Sequence, residues 1–97
     1  MSENIDRIYN QITGVIEALE NMTPKERQEA PKRTFLERYS QHRKLAMDAM
    51  SNIEEAHWPP NVTDPRRANY VEVLSYYKDM SALLSEGVSA PSAGFMG

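Results

Sequence analysis

The sequence predicts an all-α protein: an antiparallel three-helix bundle with a long central helix and an irregular C-terminal tail. Three observations carry this expectation. Ile5, Ile8, Ile12, Val15, Leu19 and Met22 alternate at spacings of three and four, the seam of a helix that packs along its length. Thr23-Pro24 and Asp64-Pro65 each place a capping residue before a proline, the signature of a helix start. No stretch shows the alternation at period two that would mark a competing strand.

The first helix is expected over about residues 3–22, with Ser2 as its N-cap and Glu3 and Asp6 in the first turn, where the helix dipole favours negative charge. Tyr9 and Ile16 widen the seam, which suits a globular bundle better than a two-stranded coiled coil. Gly14 falls on the opposite face, at a cost of about 1 kcal/mol relative to alanine unless a partner packs closely there. Thr23-Pro24-Lys25-Glu26 restarts the chain as a capping box. Pro31 disfavours helix at Ala30, leaving a short helical turn over 24–29.

Phe35, Tyr39, His42, Ala46, Ala49, Ile53 and Ala56 recur at four and three until Trp58-Pro59-Pro60, predicting a central helix over 31–57, about 40 Å long. Asp64-Pro65 opens a third helix over 65–86 on a seam of Tyr70, Val73, Tyr77, Met80 and Leu84. Gly87 would end it in a Schellman motif, with Val88 reaching Leu83. Short proline-marked turns make these three neighbours run up, down and up as one domain over 1–87. The expected core is Ile5, Ile8, Ile12, Val15, Leu19, Phe35, Tyr39, Ala46, Ala49, Ile53, Tyr70, Val73, Tyr77 and Leu84. Residues 88–97 are small, polar and proline-containing, an extended tail in which Phe95 and Met96 stand out as sizeable apolar side chains.

A chain of 97 residues, 40% hydrophobic and 26% charged, supports one small core rather than wholesale disorder. The absence of cysteine excludes disulfides and thiolate metal sites, so helix packing has to supply the stability. Neither a signal-peptide pattern nor an apolar run of roughly 20 residues is present, so the expectation is a soluble protein, cytoplasmic where it is made, without a membrane partner. The net charge of −3 is segregated: residues 1–22 carry −3, residues 23–44 carry +4, residues 45–64 carry −4 and the remainder is neutral.

Glu54 and His57 have the Glu-x-x-His spacing of ferritin-like carboxylate metal sites, and with Glu17 and Glu20 a homo-oligomer could complete such a set. A histidine in the last turn of a helix is explained as well by the helix dipole. His42 lies on the central seam with no evident nucleophile to activate; either a neighbouring carbonyl or hydroxyl satisfies it or it lies at the edge of the seam with one nitrogen in water, and Arg38 and Arg43 nearby favour the wet edge. No pattern requires a cofactor. The basic run with Phe35 and Tyr39 interleaved could follow a phosphate backbone, but acidic flanks and a negative net charge argue against nucleic acid as the main ligand. That run is expected to lie beside the acidic first helix or to face an acidic protein.

The function that fits is a non-enzymatic interaction or assembly component that binds other protein chains, such as a repeated small subunit of a phage virion. The alternative is a small inhibitor that blocks a host enzyme or nuclease. Expected partner-binding residues are Phe95 and Met96 in the tail, the aromatic side chains Tyr76 and Trp58, and the basic residues Arg33, Arg38, Arg43 and Lys44.

Overall fold

The computed structural model describes residues 2–88, so the expected anchors Phe95 and Met96 lie outside the described residues. The fold is all-α: helices and turns account for its regular structure, with no strand among the described residues. Helix α1 spans Ser2–Glu20, α2 Pro24–Arg27, α3 Arg33–Ala49 and α4 Tyr70–Leu84, with single 3₁₀ turns at Glu55–His57 and Pro65–Arg67. Helix α1 packs against both α3 and α4, α3 packs against α4, and the short α2 touches α4.

The local chemistry explains most of these boundaries. Thr23 closes a capping box on α2: its hydroxyl accepts from the Glu26 amide at 3.1 Å, and its own amide donates to the Glu26 carboxylate at 2.8 Å. Asn69 and Glu72 repeat the arrangement at α4, with both bonds at 3.0 Å. Helix α1 begins at Ser2 itself rather than after it.

Three expected boundaries differ. The central helix stops at Ala49, not near His57, because the chain doubles back so that Trp58 and Pro59 become buried. Had the helix continued, Trp58 would lie about 12 Å beyond Met50 along the axis, away from the core. The third helix begins at Tyr70, and Asp64 caps only the 3₁₀ turn before it. Extended backbone at Ala68 (φ −158°, ψ 156°) separates the two and buries that small side chain. Gly87 does not adopt the left-handed conformation of a Schellman ending. It is small for a different reason: a Cβ there would come within 2.8 Å of Met50 Sδ and 3.1 Å of Ile5 Cδ1.

The core joins Ile8, Ile12, Val15 and Leu19 of α1 to Leu36, Tyr39 and Ala46 of α3 and to Val73, Leu74, Tyr77, Met80 and Leu84 of α4. Met50, Trp58 and Ala68 close it from the connections. Five residues expected in the core, Ile5, Phe35, Ala49, Ile53 and Tyr70, are only partly buried. On α3 the buried line runs through Leu36 rather than Phe35, a small rotation about the helix axis. Phe35 instead edges against Tyr70, with ring centroids 5.2 Å apart, while Tyr39 meets Tyr77 at 5.4 Å. Edge-to-face pairs of this kind contribute about 0.5–1.5 kcal/mol beyond their buried area.

Candidate functional site

Two surfaces result from this packing, and they differ in kind. On one side of α3, polar side chains are occupied in holding the returning segment 50–64. The Tyr39 hydroxyl donates to the Pro60 carbonyl at 2.6 Å, Arg43 Nε donates to the Pro59 carbonyl at 2.7 Å, and the Ser40 hydroxyl donates to Asn61 Oδ1 at 2.5 Å. Arg43 also reaches the Glu55 carboxylate at 3.4 Å. A proline carbonyl has no amide partner of its own to offer in return, so a tyrosine and an arginine donating into consecutive proline carbonyls anchor a stretch that cannot form a regular ladder. Asp64 holds the next turn: it accepts from the Arg66 amide and guanidinium, and these hydrogen bonds keep its carboxyl below the usual carboxylate range.

His42 is half-buried beside this clamp. Its Nδ1 lies 2.8 Å from the Tyr77 hydroxyl, and its ring meets Tyr77 edge-on at 5.7 Å. Burial, with Arg38 nearby, lowers the His42 pKa, while burial raises those of Tyr39 and Tyr77. The consistent protonation state is therefore a neutral imidazole accepting from a tyrosine that keeps its proton. The hydroxyl partner is one of the two environments expected for His42, and it occupies the acceptor nitrogen that a general base would need.

The partner-binding residues named from the sequence separate. Trp58 is a core residue with 6% of its surface exposed, and its Nε1–H has no acceptor among the described residues. Arg43 is committed to Pro59 and Glu55. Tyr76 is half-buried against Tyr39, with ring centroids 6.1 Å apart. Arg33, Arg38 and Lys44 remain exposed, with Arg33 beside Thr63, Pro65 and Arg66. The acidic end of α1 does not turn to the basic run as its only outlet: Glu20 pairs with Lys78 of α4 at 3.0 Å. Glu54 and His57 sit at and within a 3₁₀ turn past the end of α3, so the shared helix face of a Glu-x-x-His site does not form. Among the described residues no three metal-ligating side chains come together.

The second surface is an open groove of about 430 Å³ between α1 and α3. It is lined by Gln11, Gly14, Val15, Ala18, Leu19, Met22, Phe35 and Arg38. Most of its lining is apolar, with Gln11 and Arg38 as the polar side chains. A Cβ added at Gly14 would meet nothing within 4 Å, so the monomer gains nothing from the missing methyl and forgoes about 1 kcal/mol of helix stability. Spacing alone placed Gly14 on the face away from the seam; in the structure half-buried Phe35 lines the groove while Leu36 takes the core. The groove's one legible sign in the sequence was a glycine in mid-helix.

Comparison with protein families, with curated proteins and with solved structures returns no match. The groove and the clamp therefore stand on their own geometry.

Proposed function

We propose that the protein is a non-enzymatic assembly component, an antiparallel three-helix bundle that works by binding other protein chains. The observation that carries this reading is the α1/α3 groove: an apolar, accessible helix pair in which Gly14 leaves room that the monomer does not use. A crossing helix or strand approaches most closely where one surface lacks a Cβ, and Ala18, Met22 and Phe35 beside it supply apolar contact area. The antiparallel arrangement is supported by the ends of the helices. Leu19 and Met22 share the groove with Phe35, near the start of α3, whereas Ile5 and Met50 meet at position 87.

The test is a purification of the tagged full-length chain from its native source, followed by determination of stoichiometry by light scattering. A stoichiometric complex with other chains is expected, and Gly14→Leu should reduce its recovery at least about ten-fold by filling the groove, which corresponds to 1.4 kcal/mol. Equal recovery by both proteins, or a chain that returns alone, would overturn the proposal.

A further inference from the structure

We propose that a second copy of this chain docks on the outer face of α1 and α3, the two copies lying antiparallel about a two-fold axis beside Gly14. Resting on the reading of the groove as a protein-docking face, the proposal names its partner. The face extends beyond the groove itself. Leu45 is 43% exposed and stands seven residues after Arg38, so it shares the side of α3 that Arg38 presents to the groove. Arg7 stands seven residues before Gly14 and Glu17 three residues after it. Both are exposed beside Gly14 on the outer side of α1.

A two-fold interface has to complement itself, because what lies on one side of the axis meets what lies on the other. Two pairs on this face satisfy that condition at once. Arg7 and Glu17 are centred on position 12, about 3 Å from Gly14 along α1, so an axis there sets Arg7 of each copy against the partner's Glu17. Among the described residues neither forms an ion pair within its own chain. Phe35 shares the groove with Met22, and Met50 meets Ile5 at position 87. Position 40 of α3, midway between Phe35 and Leu45, is thereby level with the same part of α1. The axis that pairs the charges consequently brings Leu45 of each copy within about one helical turn, 5.4 Å, of the partner's half-buried Phe35. Gly14, whose missing Cβ leaves space that nothing in the monomer fills, stands where the two α1 helices come closest.

The test uses the full chain purified alone, with mass and dissociation constant read by light scattering and sedimentation. A dimer is expected, with a dissociation constant below about 100 μM at low salt. Arg7→Glu and Glu17→Arg should each weaken it at least about ten-fold, because each sets like charges together at both symmetry-related contacts. Mixed in equal amounts, the two variants should associate again, since each then meets the opposite sign on the other chain. Leu45→Ser should weaken the dimer to a similar extent, while circular dichroism shows the helices of all three variants intact, as the three side chains are exposed. A chain that stays monomeric up to about 0.5 mM, a mixture that associates no better than its components, or a dimer indifferent to the three substitutions would overturn the proposal. The two readings fail separately. If the chain purified alone is monomeric while Gly14→Leu still lowers recovery of the native complex, the second copy is removed and the groove stays a site for a different chain.

Discussion

The Tyr39 hydroxyl and the Pro60 carbonyl, 21 residues apart in sequence, are joined at 2.6 Å, and this bond marks where the chain is drawn back along α3. With Arg43 on Pro59 and Ser40 on Asn61, it converts a segment with two prolines and no regular structure into a fixed strap. The strap in turn carries Trp58 into the core.

Removing the donors should loosen the strap before it unfolds the bundle. Tyr39→Phe keeps the ring contacts with Tyr76 and Tyr77 and should cost about 1 kcal/mol, the value of one net hydrogen bond with its acceptor still able to meet water. Arg43→Gln should cost about 1.5–3 kcal/mol, because a charged donor is lost from a side chain only 14% exposed. Urea unfolding measures both, and hydrogen exchange should show residues 50–64 opening faster than the helices. Two variants within about 0.3 kcal/mol of wild type would contradict the clamp.

Trp58 separates a core role from a surface role. Trp58→Ala should cost about 3–5 kcal/mol through the cavity it leaves, whereas an exposed contact residue would change stability by no more than about 0.5 kcal/mol. Trp58→Phe should be far milder, because the smaller ring keeps much of the packing and removes a buried N–H that has no acceptor. As the chain's one tryptophan, Trp58 should also emit at short wavelength when folded and shift to the red on unfolding.

The two described glycines should respond with opposite sign to the same change. Gly14→Ala should stabilise by about 0.5–1 kcal/mol, since its Cβ enters open space in the middle of a helix. Gly87→Ala should destabilise by about 1 kcal/mol, because its Cβ displaces Met50 and Ile5 in a packed corner. Thermal melts of both variants decide the matter, and equal shifts would show that the two sites are not distinguished by packing.

The all-α class, the seam of α1 and the Thr23 capping box follow from local spacing, because each depends on residues within one or two turns of one another. What spacing could not show is where tertiary contacts override it. Nothing between Met50 and His57 forbids helix as firmly as proline does, and α3 ends there because Tyr39 and Arg43 bind carbonyls some twenty residues later. At the start of α4 the missed signal was local: Asn69 and Glu72 form a capping box as readable as that of Thr23 and Glu26, overshadowed by Asp64-Pro65. Asn69→Ala should consequently cost about 1 kcal/mol, more than Asp64→Ala, which releases a single 3₁₀ turn; denaturant midpoints in the reverse order would return the helix start to Asp64. The groove was hidden for another reason, since Phe35 and Leu36 are both apolar and adjacent, and spacing does not say which of the two is the more deeply buried.

His42 provides the pH dependence. In the folded protein burial and then Arg38 lower its pKa below the ordinary value of about 6.5, so the unfolded chain binds the proton more readily than the folded one. Stability from this group is therefore complete above about pH 6.5 and is lost as pH falls from there through the folded-state pKa. The midpoint of urea unfolding should decline between pH 7 and pH 5 in wild type. His42→Asn, which retains an acceptor for the Tyr77 hydroxyl but does not titrate, should be less stable at pH 7.5 and show a flatter profile across the same interval. Arg38→Gln should reduce the slope without removing it, because burial is the larger cause and the guanidinium the smaller. Asp64 keeps its charge through this window, as its hydrogen bonds from Arg66 hold its pKa below the carboxylate range, so its titration does not imitate the effect. Parallel profiles for wild type and His42→Asn would show that the imidazole is not held neutral by the core.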